Sequence, residues 1–257
     1  MNRARLSNVE ADIKTFVSDH FSLAVTTVRK GLCLLLVIIS CGLSTQVWAH
    51  GVAAGDATFI ENVSGMHLLP FTYLGAKHMV TGYDHLLFLL GVIFFLYRIK
   101  DVSLYVTLFA LGHSSTLLFG VLSGTEVNPY LVDAIIGLSV VYKALDNLGA
   151  FRLWFGFQPD VRAAVLIFGF FHGFGLATKL QHFSLSEQGL VPNILAFNIG
   201  VEIGQLLALT CILIVMNLWR RSSAFERHAI SANVVLMTAG FILVGYQLTG
   251  YWLMTQE

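Results

Sequence analysis

Histidines and carboxylates occur in this chain inside apolar runs that should exclude them. His78-Met79-Val80-Thr81-Gly82-Tyr83-Asp84-His85 opens one such run, and His113-Ser114-Ser115-Thr116 occupies the middle of the next. Asp133 lies one turn into a third. His172 sits in Gly169-Phe170-Phe171-His172-Gly173-Phe174-Gly175 in a fourth. Asn198, Glu202 and Gln205 follow in a fifth at i, i+4, i+7, a spacing that puts them on one helix face. Three deep imidazoles with carboxylates beside them form a nitrogen/oxygen donor set. Such a set suits nickel, cobalt, zinc, copper(II) or iron(II). No thiolate shares it, which disfavours Cu(I). Cys33, Cys41 and Cys211 show neither zinc-ligand nor disulfide spacing. Asp84 reads as a ligand or as a group that orients the His85 ring from behind.

The elements that must position these residues follow from composition. Of 257 residues 56% are hydrophobic and 12% charged, and the mean hydropathy is +0.74. Soluble domains average about 25% charged residues. Such a chain cannot furnish the polar shell of a cytosolic enzyme, and it is too apolar to be disordered. An all-α, polytopic membrane helix bundle remains. Lys plus Arg equals Asp plus Glu at 15 each, so no basic excess is available for nucleic acid. Six stretches can cross a bilayer, at 75–97, 104–122, 130–148, 162–180, 194–218 and 231–252. In 130–148, Lys143 and Asp146 suggest a last turn already outside lipid. Gly82, Gly112, Gly137, Gly169, Gly173, Gly200 and Gly204 flank the polar positions and would allow close helix approach.

Ahead of these spans, Arg29-Lys30, the apolar run Gly31–Leu43 and Thr45-Gln46-Val47-Trp48-Ala49 follow the plan of a secretory signal peptide. Cleavage after Ala49 would expose His50. An uncleaved anchor and a lipoprotein site at Cys41 are the alternatives, and Ser7 with Glu10 could cap a leader helix. The expected organisation is therefore a leader and signal peptide at 1–49, a short exported segment at 50–73, and a six-helix transmembrane domain at 74–257.

With the first span running inward, the inner side carries Arg98, Lys100, Lys143, Arg152, Arg162, Arg220, Arg221 and Arg227, the outer side only Lys77 and Lys179. This agrees with the positive-inside rule and with an exported N-terminus. Both mature termini then face the periplasm of a bacterial inner membrane. At 1.5 Å per residue, Asp84, His85, His113, His172 and Glu202 all fall about 10–15 Å deep in the outer half. Asp133 is shallower, at about 6 Å, and His78 lies near the surface.

Each residue taken singly has a structural reading. His113 would hydrogen-bond to a neighbouring helix, Asp84 and His85 would form an ion pair or proton relay, and Asp133 would cap its helix after Pro129. Glu202 resists this, because an unpaired buried carboxylate either protonates or finds a cation. Asp84, Asp133 and Glu202 have no basic residue within the predicted lipid core to pair with. The shared depth favours one cation site entered from outside.

These residues also carry a family resemblance. HMVTGYDHLLFLLGV (His78–Val92) resembles the His-x5-Asp-His signature of the HupE/UreJ proteins. Those are membrane accessory proteins of hydrogenase and urease operons, regarded as nickel permeases. FALGHSSTL (Phe109–Leu117), DAIIGLSVVYKALDN (Asp133–Asn147), FFHGFGLA (Phe170–Ala177) and FNIGVEIGQ (Phe197–Gln205) resemble the later family blocks, in order, over about 75–250. The resemblance implies a cleaved signal peptide, six helices, an exported N-terminus near a His, and a nickel or cobalt carrier. It assigns His78, Asp84 and His85 to the first signature and His113, His172 and Glu202 to the later polar positions. Two departures stand out. Asp133 occupies a place where Glu is more usual. The first signature is one residue longer than the His-x4-Asp-His of the larger nickel/cobalt transporters. On a straight helix, His78 and His85 would lie about 10 Å apart. They could share one ion only if the helix distorts, and Gly82 is where that could occur. A relay from His78 to His85 is the alternative.

The leading reading is a permease for a divalent transition metal, nickel favoured, with cobalt, zinc or copper as other candidates. Capture at His50, His67 or His78 would precede transfer to His85, His113, His172 and Glu202 and release inward. The partners are the ion and the bilayer, with a homo-oligomer or a cytoplasmic metallochaperone compatible with it. An intramembrane zinc-dependent hydrolase, with Ser114 near the imidazoles, is the alternative in another class. A non-transporting metal receptor or assembly factor is a third.

Overall fold

The computed structural model describes residues 60, 63–181 and 188–256, all within the unit Ala49–Glu257. The leader, the cleavage after Ala49, the Ser7–Glu10 cap and His50 lie outside the described residues. Within them the chain forms α1 (Leu68–Thr81), α2 (Tyr83–Ile93), α3 (Ile99–Ser123), α4 (Pro129–Asn147), α5 (Ala150–Phe155), α6 (Val161–Gln181), α7 (Leu190–Arg220) and α8 (Ser223–Met254). No strand occurs among the described residues.

Local chemistry sets the boundaries. Asn128 caps α4 by accepting from the backbone N–H of Tyr130 and Leu131, and Pro129 follows where a missing N–H costs nothing. Asp133 therefore does not cap this helix, contrary to the simplest sequence reading. Gly124, at φ +65°, ends α3 in the left-handed region that a side chain would disfavour.

By length and composition α3, α6, α7 and α8 can each cross a membrane. The stretch 130–148 corresponds to the more polar α4. The stretch 75–97 is divided into α1 and α2, and α1 begins seven residues ahead of it, at Leu68. The surface is apolar over much of these helices: Leu111, Phe119, Ile167, Leu207, Ile214 and Val235 are all exposed. In water so wide a patch would aggregate, whereas in hydrocarbon it is solvated. The chain is an all-helical membrane bundle, as composition predicts.

Three helix pairs dominate the packing: α3 with α6, α1 with α7, and α4 with α8. In lipid, apolar side chains gain little from meeting one another, so close backbone approach must hold such pairs. A methyl group on Gly200 would collide with the Thr72 carbonyl, and one on Gly204 would lie 2.9 Å from Met79 Cβ. Gly112 and Gly169 face each other across α3 and α6, where added methyls would meet the Leu166 and Phe109 carbonyls at 2.6 Å. A methyl on Gly173 would collide with the His113 carbonyl and one on Gly137 would meet Val244 N at 3.0 Å, so six of the seven glycines singled out by sequence sit at close crossings.

A buried polar layer ties the C-terminal ends of α2 and α4 to α8. Lys143 donates to Asp146 and, at 2.7 Å, to Asn147; Asn147 donates to Gly91 O and Asn233 Oδ1, both at 2.9 Å. Asn233 donates onward to Ala229 O, and Gln158 donates to Asp146. Arg220 caps the carbonyls of Ile93 and Phe94 and stacks over Tyr97. Lys143 is thus buried within the protein and paired.

Candidate functional site

His85 is at the centre of a cluster of four imidazoles, one from each of α1, α2, α3 and α6. Its ring centre lies 5.1 Å from His78, 5.0 Å from His172 and 6.1 Å from His113. His85, His113 and His172 are each 1% exposed, and His78 is half-buried. The shared depth expected from sequence corresponds to real proximity for His85, His113 and His172, and His78, expected near the surface, joins them.

The break at Gly82 makes the first contact possible. Gly82 ends α1 and begins α2, with an extended ψ of 97° that interrupts the helix. Asp84 and His85 then fall in the first turn of α2, and Asp84 Oδ1 lies 2.9 Å from His85 Nδ1. A carboxylate engaged with one ring nitrogen in this way fixes the orientation of an imidazole. A Cβ at position 82 would come within 2.8 Å of His85 Nδ1 and 3.2 Å of Asp84 Oδ1. Glycine here leaves space for the pair.

The other two rings come from the α3–α6 crossing, where a methyl on Gly173 would collide with the His113 carbonyl. His172 Nδ1 donates to Phe168 O at 2.7 Å, so its Nε2 carries the lone pair when the ring is neutral. Among the described residues His172 Nε2 and both His113 nitrogens are buried without a hydrogen-bond partner. A buried polar atom left so costs about 1–3 kcal/mol, which packing alone does not explain. Phe109 lies 4.9 Å from His172 and 6.4 Å from His85, and Phe88 lies 5.4 Å from His172. These two aromatics close the cluster on the side toward the C-terminal end of α2.

Spacing suits a shared ion better than present orientation does. Two imidazoles on one ion at a metal–nitrogen distance of about 2.1 Å have ring centres about 4.5–6.4 Å apart for coordination angles from 90° to linear. The three separations from His85 fall in that range. As the side chains stand, no group of three His, Cys, Asp or Glu among the described residues is set to hold a metal ion. Ring rotations would have to bring the nitrogens together.

Two expectations about the acids are corrected. Glu202 does not face inward: its side chain is exposed, on a face shared with Ile199, Ile203 and Leu206, while Asn198 and Gln205 are buried. Helix phase explains this, since position 205 returns to within about 20° of position 198, whereas 202 is rotated by about 40° the other way. Asp133 does not lack a basic partner. Lys179 Nζ donates to its Oδ2 at 2.7 Å. Asp133 is within electrostatic reach of Asp84 and His85, so this ion pair borders the imidazole cluster. Lys179 carried no signal in the sequence beyond its place on the outer side. Of the other histidines, His67 caps α1, its backbone N–H held by Asn193 Oδ1 at 2.8 Å.

Residues 54–256 match the family model described as HupE / UreJ protein, which covers most of the chain. No curated protein and no solved structure matches it.

Proposed function

We propose that this chain, which belongs to the HupE / UreJ family, is a membrane permease for a divalent transition metal, nickel first and cobalt next. The observation that carries this reading is the convergence of three imidazoles, from three other helices, on His85. A buried cluster of that kind has no value to a purely apolar bundle. Neutral imidazoles with a carboxylate behind one of them suit borderline divalent ions. The family is one of transporters and accessory proteins rather than enzymes, which agrees with a site that binds without reacting.

In this reading the ion enters beside His67 and His78 and is held by His85, His113 and His172. Asp84 fixes the His85 ring and contributes negative charge. Release requires Phe88 and Phe109 to move, since they separate the imidazoles from the opposite end of α2. The Lys and Arg distribution supports an orientation in a bacterial inner membrane with the exported N-terminus and the C-terminus outside. Glu202 has no part in the site.

Uptake of radiolabelled nickel and cobalt tests the proposal. Cells carrying the protein should accumulate the ion above cells lacking it, and the His85→Ala and His172→Ala variants should lose the difference. Purified protein should hold near-stoichiometric metal. Equal uptake with and without the protein would overturn the reading.

A further inference from the structure

We propose that Lys179 is a tethered counter-cation at the outer mouth of the site, and that an entering metal ion displaces it from Asp133, which then serves as the entry ligand. This rests on the permease reading and its orientation.

The observations concern the two oxygens of one carboxylate. Asp133 is 6% exposed; its Oδ2 accepts from Lys179 at 2.7 Å, while its Oδ1 is buried with no hydrogen-bond partner among the described residues. The Tyr83 hydroxyl, within electrostatic reach of Asp133 and Asp84, is likewise buried and without a hydrogen-bond partner among the described residues. Gly175 faces the open oxygen: a methyl there would lie 3.4 Å from Asp133 Oδ1. Asp133 Oδ1 and the Tyr83 oxygen are hard oxygen donors beside the imidazole cluster.

Lys179 is built to leave. Its side chain is 15% exposed, in the last turn of α6, and a lysine ammonium on a flexible stem can swing to water without breaking a planar fork. It is also within electrostatic reach of His78. Counting Asp84 and Asp133 as carboxylates and Lys179 as an ammonium, the mouth carries a net charge of −1. A divalent ion brings it to +1 with Lys179 in place. Lys179 therefore opposes the very ion the cluster is suited to, and the opposition falls when it withdraws. Asp133 is in turn kept from standing unpaired in an apolar bundle while no ion is present.

Equilibrium dialysis of nickel chloride against the purified full chain tests this with four proteins. Lys179→Gln should bind nickel several-fold more tightly than wild type, and Asp133→Asn, which removes the entry ligand, several-fold more weakly. The double variant Asp133→Asn/Lys179→Gln lacks both the opposing charge and the entry ligand, and should bind more weakly than Lys179→Gln; equal binding by the two would overturn the role of Asp133 as a ligand. An affinity in Lys179→Gln equal to or weaker than wild type would overturn the proposal while leaving nickel binding, and so the permease reading, intact. Absence of nickel from all four overturns both. Should Lys179→Gln fail to fold, wild-type protein suffices: acetylation of Lys179 by an amine-reactive ester, read by mass spectrometry, should rise several-fold on nickel saturation. Unchanged acetylation would overturn the exchange.

Discussion

The imidazoles of His78 and His85 meet edge to face with ring centres 5.1 Å apart, although six residues lie between them and a helix boundary falls in that interval. A continuous helix would hold them about 10 Å apart. The break at Gly82 turns two distant side chains into neighbours and places Asp84 and His85 at the start of a new helix. Discontinuous helices that present ion-binding groups within a bundle are a recurrent solution in membrane carriers.

Gly82→Ala tests that relationship directly. Its φ of −73° is open to any residue, so backbone strain is not the issue. The added methyl would press on His85 Nδ1 and Asp84 Oδ1. Nickel affinity should fall by about tenfold or more, by analogy with loss of other groups that orient ligands. Helical circular dichroism should stay unchanged. Wild-type affinity in Gly82→Ala would mean that the pair does not need the space.

Asp84→Asn should retain the fold and weaken nickel binding about 10–100-fold, the range for removing a carboxylate behind a ligating histidine. His85→Ala should abolish binding. Metal content of the purified proteins distinguishes the two. Equal loss in both variants would identify Asp84 as a direct ligand.

Glu202→Gln should leave metal content unchanged, whereas His172→Ala should remove it. Sequence pattern pointed the other way, and the reason is instructive. The i, i+4, i+7 rule selects a helix face about 60° wide, and only its neighbours decide which edge turns inward. Asn198 and Gln205 fall on the buried side of that edge and Glu202 on the exposed side. By contrast, His85, His113 and His172 were legible, because depth follows from counting residues along spans of fixed rise. The Asp133–Lys179 pair was not. It joins residues 46 apart and depends on how α4 lies against α6, which no local pattern encodes. Loss of metal in Glu202→Gln would return that residue to the site.

Gly200→Val should destabilise the bundle with little regard to metal. Its side chain would be driven into the Thr72 backbone, where nothing can yield without parting α1 from α7. Overpacking of this kind costs about 1–3 kcal/mol or more. The melting temperature in detergent should drop, and addition of nickel should recover only part of the loss. A melting temperature equal to that of wild type would show that the α1–α7 crossing is looser than its glycines imply.

Asn233→Leu separates the two polar layers. Asn233 is fully buried; it accepts from Asn147, which also donates to Gly91 O at the end of α2. Replacing it leaves Asn147 with one acceptor fewer and should cost about 1–3 kcal/mol of stability. The imidazole cluster gains nothing from this layer directly, so nickel affinity at equilibrium should stay within about twofold of wild type if the sites act independently. Transport is a different matter, because the layer clamps the end of α2 that must give way if Phe88 is to move. The variant should therefore bind nickel normally while its uptake rate changes. A parallel fall in binding and stability would show instead that the layer holds His85 in place through α2.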